Sequence, residues 1–126
     1  MLFYINEDLT DQDLKELLVK EGPLLVAVYA NSAWNYYYSG VFSGCSPSDP
    51  SDMGYLNHAV LLYGWDLDGN WLIKNSWGTD WGENGFMRIA PDRNCGINLE
   101  VGTIRFDFVH KDPQISLKNE MVFTPA

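Results

Sequence analysis

The chain has 126 residues, of which 46% are hydrophobic and 14% aromatic, and this composition excludes a disordered protein and predicts one domain with a hydrophobic core. Its formal net charge of −9 repels nucleic acids and anionic membranes, which argues against both as partners. An acidic lumen or an extracellular setting fits this charge better. The apolar runs are too short to cross a bilayer, and the first residues lack the basic and long apolar segments of a secretion signal.

The first part of the chain predicts a surface helix followed by a buried strand. Thr10 and, three residues later, Asp13 have the spacing of a helix start, and a leucine stripe follows until Gly22 and Pro23 end the helix. The next run, LLVAVYA at 24–30, is short, apolar and partly β-branched, as buried strands are. We therefore expect one helix that leads into a sheet.

Aromatic and loop-forming residues separate this strand from the later ones. The stretch NSAWNYYYSGVFSG at 31–44 predicts a short helical turn packed over the sheet, and CSPSDPSDMGY at 45–55 predicts a polar loop. Four strand candidates follow: HAVLLYGWD at 58–66, NWLIKNSW at 70–77, GFMRIAP at 85–91 and VGTIRFDFV at 101–109.

Together these elements predict an α+β fold, a mostly antiparallel β-sheet or open barrel with an N-terminal helix. We expect residues 1–108 to form this domain and residues 109–126 to wrap over its surface as a tail.

The stretch DLDGN at 66–70 connects the first two of the four strand candidates, and it has two possible interpretations. Asp66, Asp68 and Asn70 alternate as the first ligands of a calcium loop do, but the glycine falls early and Trp77 stands where that loop needs a glutamate. The spacing therefore favours a hairpin turn, and no metal or other cofactor is expected.

Cys45 and Cys95 are the only two cysteines. A bridge between them would close a large loop, stabilise the fold by roughly 4 kcal/mol and indicate an oxidising compartment. Two free buried thiols are the alternative, and one cysteine acting as a nucleophile is a third.

His58 and Asn75 are candidates for a proton-transferring pair. In an antiparallel hairpin, the residue numbers of directly opposed residues have a constant sum. A turn centred on Asp68 and Gly69 gives a sum of 137, whereas the numbers of His58 and Asn75 add up to 133. The difference is even, so a regular hairpin places both side chains on one face, whereas a bulge would reverse this.

Such a pair would suit acid–base chemistry. Asn75 could accept the proton on one ring nitrogen of His58 and leave the other nitrogen aimed at a thiol or hydroxyl, while Trp77 shields the hydrogen bond from water. The alternative is a structural histidine at a strand end with the indoles in the core.

Three motifs carry a resemblance to a known family. NHAV, then WLIKNSWGTDWGENGFMRI, then CGI look like the C-terminal half of papain-family cysteine peptidases, which include the lysosomal cathepsins, and upstream segments extend the match from about Glu21 to Glu100. The resemblance implies the β-rich, right-hand domain of those enzymes, a peptide or protein substrate, and a lysosomal or extracellular location.

The resemblance also implies roles for individual residues. His58 matches the general base and later general acid, Asn75 the residue that orients it, Trp77 the indole over their hydrogen bond, and Trp81 an indole on the leaving-group side. Cys45 and Cys95 match a structural disulfide pair of this half, and neither matches the nucleophile.

Four further positions match a substrate pocket, for the side chain two residues before the cut. They are Ala27, Leu56, Ala59 and Glu100. In some relatives a carboxylate at the position of Glu100 admits arginine; the alternative is a solvated glutamate on a strand edge.

The family's nucleophile is missing. No CGSCW-like motif and no oxyanion-hole glutamine ahead of it occur in the chain, so the chain alone should not hydrolyse peptides. It could be one chain of a processed enzyme, a truncated gene product or a noncatalytic module. If the helical half is its missing partner, we expect an exposed apolar patch bearing His58, Trp77 and Ala27.

Overall fold

The computed structural model describes residues 2–45 and 56–105, which fold around one seven-stranded sheet. The elements, in chain order, are β1 (Leu2–Glu7), α1 (Asp11–Glu21), β2 (Leu24–Val28), a 3-10 turn (Ser32–Tyr36), β3 (Val41–Phe42), β4 (His58–Trp65), β5 (Trp71–Lys74), β6 (Phe86–Ile89), a second 3-10 turn (Pro91–Arg93) and β7 (Glu100–Arg105).

The strands lie in the order β1-β7-β2-β4-β5-β6-β3. All neighbouring pairs are antiparallel except β3 with β6, which are parallel. The predicted α+β class with a mostly antiparallel open sheet is therefore confirmed. The boundary at residue 108 and the tail 109–126 lie outside the described residues.

The helix begins and ends where the sequence predicts. The Thr10 hydroxyl accepts a hydrogen bond from the Asp13 N–H at 3.1 Å, and the Asp13 carboxylate accepts one from the Thr10 N–H at 3.0 Å. Gly22, with a φ of 83°, ends the helix. Leu14 and Leu18 are buried, so this stripe packs the helix onto the sheet.

One expectation about the helix was incomplete: it is not the first element, because β1 precedes it. The sequence does not predict β1, because its partner is β7, almost a hundred residues away, and no turn signal links the two. Among the described residues, no helix is long and apolar enough to span a membrane.

One face of the sheet carries the core. Side chains from the central strands and from the first 3-10 turn are fully buried there, among them Leu24, Val26, Trp34, Leu62, Trp71 and Ile73. The Cys45–Cys95 disulfide, itself buried, links the segment that follows β3 to the turn before β7. This turn also accepts a hydrogen bond from Tyr29, since the Tyr29 N–H lies 2.8 Å from the Cys95 carbonyl.

The opposite face carries an exposed row of residues, apolar except for Lys74, which we call the exposed apolar row. Direct pairing aligns Ile5, Gly102, Leu25, Leu61, Lys74 and Phe86 across the sheet. Ile5 is 63% exposed, Leu25 39% and Phe86 37%, so this face has no cover among the described residues.

Candidate active site

His58 and Asn75 meet at the open end of the β4–β5 hairpin. The His58 Nε2 atom lies 2.7 Å from the Asn75 Oδ1 atom. The Ser76 N–H donates to the same oxygen at 2.8 Å, which fixes the orientation of the amide. An amide oxygen only accepts, so Nε2 carries the proton and the lone pair of the neutral ring sits on Nδ1.

The register that brings them together differs from the predicted one. Next to the turn, Trp65 opposes Trp71, a sum of 136 where 137 was predicted. A bulge between Leu62 and Gly64 then changes the sum to 135, and Leu61 opposes Lys74. The expectation that a bulge would separate the pair was wrong, because without it the sum of 136 would place His58 and Asn75 on opposite faces.

Indole rings cover the pair. The Trp77 ring stacks on the His58 imidazole with the ring centres 4.9 Å apart and the planes at 27°. Trp34 meets the imidazole edge-on at 6.2 Å, and Trp81 packs against both Trp77 at 5.3 Å and Trp34 at 6.1 Å. Trp77 remains 39% exposed, so it forms the outer layer of the cover.

Trp34 was missed as a member of this site by sequence reasoning. The sequence predicts that the aromatic stretch packs over the sheet, but it does not predict that Trp34 contacts His58. The one signal for this contact is the presence of an indole ahead of the polar loop. The carbonyl of Trp34 accepts a hydrogen bond from the Trp81 Nε1–H at 2.7 Å, so this turn also holds the second indole.

Two cavities lie near His58. One, of about 220 Å³, is lined by polar side chains next to His58 and Trp77, namely those of Asn31, Ser32, Asn35 and Asn57. The other, of about 140 Å³, brings together Ala27, Ala59 and Glu100, three of the four residues expected to form a substrate pocket.

Leu56, the fourth expected residue, does not line this second cavity. It contacts the turn at Gly96, where a Cβ atom would come within 3.0 Å of the leucine side chain.

The expectation of one patch bearing His58, Trp77 and Ala27 was wrong in its geometry. In the sheet, Val28 opposes His58 and Ala27 opposes Ala59, and successive residues of a strand point to opposite faces. Ala27 and the Glu100 cavity therefore open on the exposed face, whereas His58 and Trp77 stand at the same end of the sheet on the core side.

A carboxylate lies in the loop that carries the indoles. The guanidinium of Arg88, which forms two hydrogen bonds to the Glu83 carboxylate, lowers the pKa of Glu83 to about 2. Burial raises the pKa of the neighbouring Tyr37 hydroxyl to about 12. Glu83 is therefore ionised, and Tyr37 is neutral, over the whole physiological pH range.

The turn predicted at DLDGN is confirmed. The Asp66 Oδ1 atom accepts hydrogen bonds from the Asp68 N–H at 3.0 Å and the Asn70 N–H at 2.9 Å, and Oδ2 accepts one from the Asn70 side chain at 3.1 Å. Asp66 thus closes the hairpin by hydrogen bonds to the turn itself.

Comparison with known proteins gives consistent matches. A model described as "Papain family cysteine protease" matches residues 3–104. A viral cathepsin of Heliothis zea nuclear polyhedrosis virus is 46% identical over 100 residues, covering 75% of this chain and 25% of the relative. Cathepsin L 1 of Paramecium tetraurelia is 42% identical over 91 residues, covering 72% and 26%.

Solved structures agree. Digestive procathepsin L 3 of Tenebrio molitor larval midgut has a TM-score of 0.65 and 32% identity over 80% of this chain and 34% of that one. The bromelain protease of Ananas comosus, solved with the E64 inhibitor, has a TM-score of 0.66 and 34% identity over 83% and 50%. The chain spans about a quarter of the length of the curated relatives it matches.

Proposed function

Because the chain belongs to the papain family of cysteine proteases, we propose that it supplies the base and the orienting amide of a peptide-hydrolysing site whose nucleophile lies outside this sequence. The observation that carries the proposal is the hydrogen bond from His58 Nε2 to Asn75 Oδ1 beneath Trp77. Both cysteines of the chain are in the disulfide, so neither provides the attacking thiol.

In this mechanism Nδ1 of His58 takes the proton from a cysteine thiol, and the resulting thiolate attacks the carbonyl carbon of the scissile peptide bond. The imidazolium then returns the proton to the leaving amine, and an acyl-enzyme remains until water hydrolyses it. Asn75 suits this cycle because a neutral amide orients the imidazolium without neutralising it, and so the charge stays available to the thiolate. Trp77 shields the hydrogen bond from water and thereby strengthens it.

The exposed apolar row supports a missing partner half. It crosses the sheet from Ile5 to Phe86 and continues into the cavity that contains Glu100. Exposed and largely apolar surface of this kind is typical of an association surface. We propose that the segment carrying the nucleophile covers it, either as part of the same precursor or as a second chain; the greater length of the relatives is consistent with this.

The Glu100 cavity is proposed to hold the substrate side chain two residues before the cut. Ala27 and Ala59 make its walls apolar, and the carboxylate of Glu100 would pair with an arginine that reaches its floor. In an assembled enzyme, Glu100→Gln should reduce the preference for arginine over leucine at that substrate position, on the order of tenfold, with leucine substrates unaffected. An unchanged ratio would exclude this role.

The same reasoning proposes a lysosomal or extracellular location. The disulfide requires an oxidising compartment, and the net charge of −9 suits an acidic lumen.

A noncatalytic structural or interaction module is the second candidate. It is favoured by one observation, that the chain has no free thiol. Retention of the His58 and Asn75 contact beneath an indole favours the peptidase, because a purely structural module has no need for that combination.

One experiment separates the two. The protein is purified from its source, treated with a thiol-reactive epoxide and measured by intact mass spectrometry, in parallel with a peptidase assay. A peptidase should show an epoxide adduct on a segment or chain that carries a free cysteine, with loss of hydrolysis. A preparation without any adduct or hydrolysis would leave the structural module as the function.

A further inference from the structure

The loop 75–85 carries Trp77 and Trp81, two of the three indoles of the site. Gly78, Gly82 and Gly85 all have positive φ values, and glycine leaves the backbone many accessible conformations. The backbone hydrogen bonds inside the loop join Gly85 to Trp81 at 2.7 Å and to Asn75 at 3.0 Å, and they do not involve Trp77. The position of Trp77 over His58 therefore depends on attachments between the loop and the rest of the domain.

Three consecutive residues attach this loop to the segment 34–40. The Trp81 Nε1–H donates to the Trp34 carbonyl, the Gly82 N–H donates to the Tyr37 carbonyl at 3.2 Å, and Glu83 Oε2 accepts from the Gly40 N–H at 3.3 Å. The approach at Gly82 is close, since a Cβ atom there would lie 3.0 Å from the Tyr37 ring.

Glu83 is the member of this set that connects the loop to the sheet. Arg88 of β6 donates to it twice, from Nε at 2.9 Å and from Nη2 at 2.8 Å, in a two-point contact. The Tyr37 hydroxyl shares its proton between two acceptors, the Gly40 carbonyl at 2.7 Å and Glu83 Oε1 at 3.2 Å. One carboxylate thus joins β6, the loop and the segment 34–40.

We propose that Glu83 is a positioning residue that keeps Trp77 stacked on His58. Tyr37, held by Glu83, packs its ring 5.4 Å from Trp81, and Trp81 in turn supports Trp77. Glu83 reaches the imidazole only through these rings. The Arg88–Glu83 pair is partly exposed, at 38% and 30%, and pairs of this kind add little to global stability, so its effect should be local.

The test measures the stack directly and needs no peptidase activity. An indole stacked on an imidazole shifts the ring-proton resonances of that imidazole upfield, and the chain has only two histidines, His58 and His110. In NMR spectra of the full chain, Glu83→Gln should move the His58 resonances downfield and leave those of His110 in place. Asp80→Asn is the control, since it removes the same charge from an exposed position in the same loop.

If Glu83→Gln leaves the His58 resonances unmoved in a folded chain, Glu83 does not position the indole. Should that variant fail to fold, Arg88→Lys replaces it, because lysine keeps the charge but cannot form the two parallel hydrogen bonds. A folded Arg88→Lys chain with unmoved His58 resonances would likewise overturn the proposal.

For catalysis this inference rests on the proposed function. In an assembled enzyme, Glu83→Gln should lower kcat and leave KM nearly unchanged, because Glu83 lines neither of the two cavities near His58. A wild-type assembly without activity would refute the proposed function, whereas the NMR result decides the positioning role separately.

Discussion

The two ends of the β4–β5 hairpin are stabilised in different ways. At the turn end, the Asp66 carboxylate accepts three hydrogen bonds, all from Asp68 and Asn70, at most four residues away. At the open end, His58 depends on Asn75, 17 residues away, and on indoles from two other segments.

One end of the hairpin is therefore stabilised by contacts within the turn, whereas the other depends on contacts with distant segments of the chain. The turn can form from local sequence alone, and its polar groups are satisfied when it does. The open end has a defined geometry only when the loop 75–85, the segment 34–40 and the disulfide-linked turn are all in place. We therefore expect substitutions at the open end to affect function, and those at the turn end to have small, local effects.

The largest expected effect is the loss of the base. In an assembled enzyme, His58→Ala should lower kcat/KM by roughly 10² to 10⁴-fold, the usual contribution of a positioned general base. Asn75→Ala should cause a smaller loss through kcat, because the ring remains but its orientation is no longer fixed. Steady-state kinetics checks both, with Asp68→Asn at the exposed turn as the matched control. Full activity in His58→Ala would contradict the account.

The next effect concerns the disulfide that braces the open end. Cys45 and Cys95 are 50 residues apart, and replacing both by alanine should lower the free energy of unfolding by about 4 kcal/mol on the chain-entropy model. The Tyr29 hydrogen bond to the Cys95 carbonyl should weaken as well, which would disturb the neighbouring start of β4. Urea unfolding measures the stability change. A loss of unfolding free energy well below 1 kcal/mol would mean that the disulfide stabilises neither end of the hairpin.

Glu83 should make a smaller, pH-dependent contribution. Arg88 lowers its folded-state pKa from 4.5 to about 2, so ionised Glu83 stabilises the fold above pH 4.5, and this contribution is lost as the pH falls through about 2. The difference in thermal stability between the wild-type chain and Glu83→Gln should be constant near neutral pH and shrink below pH 4.5. A difference that grows with acidification has the wrong sign for this assignment.

The smallest effect belongs to the turn end. Asp66→Asn should lower stability slightly, since hydrogen bonds from Asn70 and Asp68 hold the pKa of Asp66 below its ordinary value and favour its ionised form. It should leave the His58 ring-proton resonances unchanged. Movement of those resonances would show that the two ends are coupled through the hairpin, and it would contradict the expectation that changes at the turn end stay local.

The sequence predicts the features that have a local signal and does not predict those that depend on distant segments. The capping box at Thr10, the turn at Asp66 and the main strands were predicted because each has a local signal. The bulge between Leu62 and Gly64 was not, although it decides which face His58 occupies, because a bulge carries no distinctive residue pattern here. The short parallel pairing of β3 with β6 was missed for a similar reason.

Within the site, the NHA and KNSW motifs predict His58 and Asn75 as a pair, and the structure places His58 Nε2 2.7 Å from Asn75 Oδ1. The Glu83 contacts with Tyr37 and Gly40 were missed, since they join positions 46 and 43 residues apart without periodicity between them. Leu56 was assigned to the pocket by position alone, and its contact with the turn at Gly96 depends on the local backbone path.

The central claim is that Asn75 holds His58 with the proton on Nε2 and the bare lone pair on Nδ1. Nitrogen-15 spectra of the labelled chain measure this directly at a pH where the ring is neutral, because protonated and bare ring nitrogens resonate far apart. The account predicts a protonated Nε2 and a bare Nδ1 in His58, with this preference weakened in Asn75→Ala. A His58 ring protonated on Nδ1, with a bare Nε2 facing the amide, would contradict it.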